Sequence, residues 1–186
     1  MKYIFRLYWL ISTFFYRFFF KKIGWFSYVA PATYLSGTKK FNIGNYVRIM
    51  PGARMESHKN GKLEILDNVS IGNGVHISAG ENIIISSGCL ISSYVLITDI
   101  DHDTKQIGFS VSETPIYTKP TFIDENVFIG AGAKILAGTH LGKGCVIAAN
   151  SVVRGIFPDY VVIGGMPAKI IMHYDFNSKS WVKVYS

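Results

Sequence analysis

An aliphatic side chain returns at every sixth position along most of this chain, a period that few folds tolerate. From Ile65 the sequence reads ILDNVS, IGNGVH and ISAGEN; after two extra residues it resumes at Ile85 with ISSGCL, ISSYVL and ITDIDH. From Ile123 it runs IDENVF, IGAGAK, ILAGTH, LGKGCV and IAANSV. The fifth place is small or β-branched in most hexads (Val69, Val75, Cys89, Val95, Val127, Ala133, Thr139, Cys145, Ser151), with Glu81 and Asp101 as exceptions. Neither a helical nor an alternating-strand period accounts for eleven such hexads. A hexapeptide period belongs to a parallel β-helix, in which each hexad forms one side of a triangular coil and roughly 18 residues complete a turn. The first residue of a hexad then points into the prism and the fifth sits near a corner. The expected fold class is all-β.

At 186 residues, nearly half of them apolar, the chain fits one domain whose core is a continuous stack. The net charge of +7 is unevenly spread. Lys2, Arg6, Arg17, Lys21 and Lys22 lie in the first 22 residues, which hold no acid, and the remainder carries 14 basic and 12 acidic side chains. Basic residues do not alternate with aromatics along the repeats and no nucleic-acid motif is present, so no nucleic-acid partner is expected. Cys89 and Cys145 both occupy fifth places, where a small buried hydrophobe fits. Two such residues make no disulfide framework, and the natural compartment is the cytoplasm.

Three segments follow from the pattern. Residues 1–22 are crowded with aromatics, yet Lys2, Arg6, Thr13, Arg17 and Lys21 fall on one side of a helical wheel. The ten residues between Arg6 and Arg17 are too few to span a bilayer, which takes about 20. Two readings stand: an amphipathic helix lying peripherally on the inner membrane with its basic edge on anionic head groups, or a helix capping the open end of the prism or packing between subunits. Residues 23–170 form the repeat domain, with IGWFSY, VAPATY, IGNYVR and IMPGAR as its first coils. Leu35 to Asn42 and Met55 to Lys62 break the period and read as loops expelled at corners. Asp103 to Thr121 forms a longer loop bearing Pro115 and Pro120, of a kind that usually carries function. The repeat is expected to end near Val153, and 171–186 form a polar and aromatic tail.

One histidine has the placement that acid–base chemistry needs. His102 closes ITDIDH where the coils give way to the long loop, between Asp101 and Asp103 and near Asp99. A histidine held at a coil edge beside carboxylates is kept in one tautomer and becomes a better base. Spacing alone equally fits an exposed loop histidine among solvated acids. His76 and His140 read as surface or inter-subunit residues, and His58 and His173 carry no signal. No nucleophile signature and no phosphate-binding glycine loop is present.

The run ITDIDHD, a proline-bearing loop, IDENVFIGAGAKILAGTHLGKGCVIAANSVV and GGMPAK resembles, over residues 65–172, the hexapeptide-repeat acyltransferases. It is most similar to the branch of maltose, galactoside and lipopolysaccharide or capsule O-acetyltransferases. The resemblance implies a left-handed parallel β-helix, a homotrimer, acetyl-CoA as donor, and an active site between adjacent subunits. It places the catalytic histidine on His102, with Asp101 and Asp99 as its carboxylate neighbours. The small CoA-lining positions fall on Ala131 and Ala149, and the basic contacts to the CoA phosphates on Arg154 and Lys169. Where related enzymes carry a lysine after the last repeat this chain has Gly155, and where several carry an acceptor-binding asparagine it has Tyr94. Tyr94 and Asp103 are the expected acceptor contacts. Related zinc carbonic anhydrases need three converging histidines, two of them close in sequence; no two histidines here lie within ten residues, so no metal is expected.

The function expected is transfer of an acetyl group from acetyl-CoA to a sugar hydroxyl of a cell-surface polysaccharide or its precursor. N-acetylation of a nucleotide-linked amino sugar or small xenobiotic, and a non-catalytic β-helix scaffold, are the alternatives.

Overall fold

The computed structural model describes residues 2–103, 110 and 114–184, with side chains of the first helix from Tyr8 onward. Residues 104–109 and 111–113 of the long loop expected at 103–121 fall outside the described residues. Three parallel sheets form the sides of a prism of about seven turns, as the left-handed β-helix expectation requires. The first face runs from Lys22–Ile23 to Ile156–Phe157, the second begins at Tyr28–Val29, and the third runs from Tyr34–Ser36 to Val152–Val153. Each face stacks one inward ladder. Ile23, Ile43, Ile65, Ile85, Ile123, Leu141 and Phe157 pair in register on the first. Val29, Ile49, Ile71, Ile91, Ile129, Ile147 and Ile163 do so on the second. Leu35, Met55, Ile77, Ile97, Ile135 and Val153 complete the third. All but Leu35 and Phe157 are buried. Fifth-place side chains such as Val69, Val75, Val95 and Val127 fill the corners and are equally buried.

The fourth place of a hexad turns the corner through the left-handed region. Asn68, Asn126 and Asn150 have φ of 57°, Gly88 76° and Gly132 72°, and even Tyr46, Tyr94 and Tyr160 lie between 54° and 60°. Asparagine and glycine adopt this conformation at low cost, which explains their recurrence there.

Corner lengths are unequal in an informative way. From first face to second, and from second to third, successive inward positions always lie six apart. Every departure falls at the corner between third and first faces. The interval is eight from Leu35 to Ile43 and from Ile77 to Ile85, and ten from Met55 to Ile65. It is 26 from Ile97 to Ile123, six from Ile135 to Leu141 and four from Val153 to Phe157. The segments expected to be expelled loops therefore begin and end in strands: Leu35 and Met55 belong to the third ladder, and only the turns between are irregular. The repeat also continues one coil beyond Val153. The four-residue corner there needs a φ of 120° at Gly155, a conformation reserved for glycine. The tail is ordered as well, since Ala168–Asp175 and Ser180–Lys183 add antiparallel strands to the second face.

The open end of the first coil is closed by the helix Lys2–Tyr16. Its Ser12 and Thr13 face the prism. Ser12 and Thr13 hydroxyls donate to the Val29 carbonyl, the Val29 N–H donates to Thr13 Oγ1 at 2.8 Å, and the Arg17 guanidinium donates to the Ile23 and Gly24 carbonyls. An uncovered coil edge would leave these groups without partners, so the cap doubles as edge protection. Phe14, Phe15, Phe18 and Phe19 consequently face outward, each about 60% exposed. Among the described residues no helix is long and apolar enough to cross a membrane.

Both cysteines are buried and unpaired, and burial pushes the Cys89 thiol up to about 11. Replacing Asn126 by valine should lower stability by about 1–2 kcal/mol, because a β-branched residue cannot adopt the corner conformation cheaply. Asn126→Gly should be nearly neutral. The midpoints of thermal denaturation of the two variants check this; equal midpoints would refute the account of the fourth place.

Candidate active site

The lengthened third corner builds a cleft. Ile100–His102 pairs antiparallel with Ile116–Thr118, so the chain leaves the prism as a hairpin projecting beside the third face. Between hairpin and face lies a cavity of about 530 Å³. His102 lines it from the hairpin with Ile100, Ile116 and Thr118, while His76, Ser78, Leu96 and Thr98 line it from the face. His58 and Lys59 enter from the turn in the ten-residue corner. The His102 ring is exposed and makes no hydrogen bond to another described residue; its backbone N–H donates to Asp101 Oδ1 at 2.9 Å.

The three aspartates around His102 have distinct surroundings. Asp99 is fully buried, and its carboxylate accepts the N–H groups of Gly80, Glu81 and Asn82 at 2.6, 2.9 and 2.6 Å. Its backbone carbonyl accepts the Lys119 N–H, where the loop returns. A buried carboxylate is tolerated when N–H donors saturate it in this way. Asp99 thus fastens both feet of the hairpin to the coil below. Asp101 accepts from Tyr117 Oη at 3.0 Å and from the Arg154 guanidinium. Partial burial works against ionisation of Asp101, but the Arg154 guanidinium, the His102 N–H and the Tyr117 hydroxyl outweigh it and hold the carboxyl below its ordinary range. Asp103 lies at the hairpin rim, its N–H bonded to the Pro115 carbonyl.

Ala131 and Ala149, both exposed, share one corner column between the second and third faces, linked by the Asn150 N–H to the Ala131 carbonyl. Tyr94 stands in the same column, 69% exposed with its ring over Gly74, at the opposite edge of the third face from His102. It does not line the cavity. Lys169 is exposed opposite Gly164 in the terminal hairpin and has no ion pair among the described residues. Arg154 is held by Asp101, so an incoming phosphate would compete with that carboxylate.

A model of bacterial transferase hexapeptide repeats, six in number, matches residues 120–155. The chain is 34% identical over 157 residues to WbbJ of Escherichia coli K12, named as a lipopolysaccharide biosynthesis O-acetyl transferase; the match spans 81% of this chain and 80% of that protein. The chain belongs to the hexapeptide-repeat transferase family. A galactoside O-acetyltransferase of Lactococcus lactis is 28% identical over 152 residues, 81% of this chain and 62% of that protein. Among solved structures, AntD, an N-acyltransferase from Bacillus cereus in complex with dTDP and coenzyme A, superposes with a TM-score of 0.75 at 21% identity. That match covers 88% of this chain and 89% of AntD, and it speaks to the fold.

Sequence reasoning within this hexapeptide-repeat transferase passed over one cluster. Glu56, 8% exposed, lies beneath the cleft wall and accepts from His76 Nε2 at 2.9 Å and from Arg54 at 3.0 and 3.3 Å. His58 Nε2 lies 3.9 Å from it and 3.1 Å from Ser78 Oγ. Desolvation alone would raise the Glu56 pKa; the hydrogen bonds from Arg54 and His76 more than reverse that and keep it ionised. The available signal was the two-residue excess in the corner after Ser57, combined with the register that stacks Ser78 on Glu56. Among the described residues no group of three histidine, cysteine or acidic side chains is arranged to hold a metal.

The Asp101–Arg154 clasp makes a pH prediction. A depressed carboxyl pKa contributes stability that is complete above the unfolded aspartate value of about 4 and is lost as pH falls through the lower folded value. The hairpin should therefore stay clasped from pH 5 to 8, opening only in stronger acid. Arg154→Ala should loosen it at every pH in that range. Amide hydrogen exchange in residues 100–102 and 116–118 reports the difference, and identical exchange in the two proteins would show that the clasp carries no load.

Proposed function

We propose that this chain transfers an acetyl group from acetyl-CoA to a hydroxyl of a cell-surface sugar, with His102 as the general base. The observation that carries the reading is the place of His102 in the lining of a sugar-sized cavity at the exit from the coils. His102 takes the proton from the acceptor hydroxyl as its oxygen attacks the thioester carbonyl. The tetrahedral adduct then expels the CoA thiolate, and the His102 imidazolium returns the proton to the departing sulfur. Asp99 and Asp101 serve as positioning residues: one anchors the feet of the hairpin and the other clasps it to Arg154.

The donor fits the corner column of Ala131 and Ala149, where side chains no larger than a methyl leave a groove for the pantetheine arm. Lys169 offers a cation to its phosphates. With the donor on the Ala131–Ala149 column of a neighbouring protomer, the acceptor and the thioester approach the His102 ring from opposite sides of one cleft, an arrangement that turns a bimolecular attack into an oriented one. A homotrimer supplies the second wall of that groove, in keeping with the outward column of Leu90, Phe128, Val146 and Val162, whose first two members are exposed. The similarity to WbbJ supports oxygen rather than nitrogen as the acceptor atom.

His102→Ala should cut kcat by about 10²–10⁴-fold, with the KM for acetyl-CoA changed only a few-fold. Steady-state turnover of labelled acetyl-CoA with sugar acceptors measures both, and a variant with near-normal kcat would end the assignment.

We place the enzyme peripherally on an anionic membrane surface. Residues 1–55 contain nine basic side chains and no acidic one, whereas residues 56–186 contain ten basic and twelve acidic. The basic end is also the aromatic end, where Phe14, Phe15, Phe18, Phe19, Trp25 and Phe26 are all exposed. Aromatic side chains over a cationic rim match a lipid interface. Co-sedimentation with vesicles containing anionic lipid should be strong at low salt and fall at least several-fold in Phe18→Ser/Phe19→Ser protein, while neutral vesicles bind weakly. Equal binding to both vesicle types would refute this placement.

A further inference from the structure

We propose that the His58–Lys59 turn is an anion-recognising subsite, so that the acceptor carries a carboxylate or a phosphate beside the hydroxyl that is acetylated. The inference rests on the reading of the His102 cavity as the acceptor site and names the chemistry of its ligand. Among the described residues, three imidazoles and one ammonium line the cavity, from His58, His76, His102 and Lys59, and no carboxylate does. The acids nearby are already committed. Glu56 is engaged by Arg54 and His76, Asp101 by Arg154, Asp99 by three backbone N–H groups, and Glu81 by the Thr118 hydroxyl at 2.7 Å. Lys59 is exposed and makes no ion pair among the described residues. The described lining therefore offers an entering ligand one ammonium, that of Lys59, with no carboxylate set against it.

The origin of these groups sharpens the point. The corner that carries them is two residues longer than those of the coils on either side, yet its flanking strands pair with both neighbours in register. The extra residues add nothing to the inward ladders. The turn is nevertheless tightly built: Gly61 N–H donates to the His58 carbonyl at 2.7 Å, the Ser57 hydroxyl donates to the Gly61 carbonyl at 2.6 Å, and Lys59 has a φ of 43°. An ordered insert that holds a free cation at the mouth of a cavity is a means of selecting ligand charge. His76 completes the wall. Its Nε2 proton is committed to Glu56, which leaves Nδ1 to accept a hydroxyl of the same ligand.

Binding can be read without turnover in His102→Ala protein saturated with CoA, by NMR titration with methyl glucuronide, glucose 1-phosphate and methyl glucoside. At least one anionic probe should bind about tenfold or more tightly than the neutral glucoside, and the stronger of the two tells a carboxylate from a phosphate ligand. Adding Lys59→Met and His58→Gln should bring all three to within about twofold of one another. Both positions are exposed, and an unchanged melting temperature will confirm that the fold is intact. Absence of preference, failure of both anions to bind, or a preference that survives the double substitution overturns the subsite. Failure of acetyl transfer to every sugar would instead sink the catalytic proposal and leave a measured charge preference standing.

Discussion

Six residues carry this backbone from one inward aliphatic position to the next, and everything else is arranged around that interval. The length suffices for one short strand and one corner, provided the fourth residue enters the left-handed region. Ladders of isoleucine, leucine and valine then stack without offset, and the parallel hydrogen bonds of each face follow from the register. A slip of one residue would turn an inward side chain to solvent in every coil at once. The cost of strained corners, including those at Tyr46, Tyr94 and Tyr160, is offset by a core that runs the length of the prism.

Two of the three corners obey the interval without exception, and the third carries all the variation. On the proposed reading, that division separates structure from recognition. The invariant corners fix the prism and supply the smooth column of Ala131 and Ala149. The variable one supplies the hairpin with His102, the turn with His58 and Lys59, and the shortened bend at Gly155. The two ends of the prism are treated differently: hydroxyls and a guanidinium from the first helix satisfy the opening edge, and antiparallel strands extend one face at the other.

Much of this was legible in the chain. The hexads define the inward ladders, and ITDIDH marks the point where the coils are interrupted, so the fold and the position of His102 follow from spacing. Other features depend on contacts between coils, which spacing does not encode. Glu56 meets His76 because two strands twenty residues apart stack in register, and Arg154 reaches Asp101 across 53 residues. Asp99 looked like a partner for the histidine because it is close in sequence, yet its oxygens face the corner below. The hydrophobic wheel of the first helix identified its polar edge but could not say that the unpaired carbonyls of the first coil would attract that edge inward. The coil after Val153 was hidden because Phe157 takes an inward place after an interval of four, followed by Pro158, which breaks the hexad pattern.

The three N–H bonds into Asp99 have a bearing on how such a molecule can diversify. They tie off the hairpin at its root, so that changes of length or composition between Asp101 and Tyr117 are insulated from the stacked coils on either side. On the proposed reading, acceptor contacts belong to that segment and donor contacts to a different edge of the prism. One buried carboxylate thus acts as a firebreak, so that a change in the hairpin need not disturb the coils.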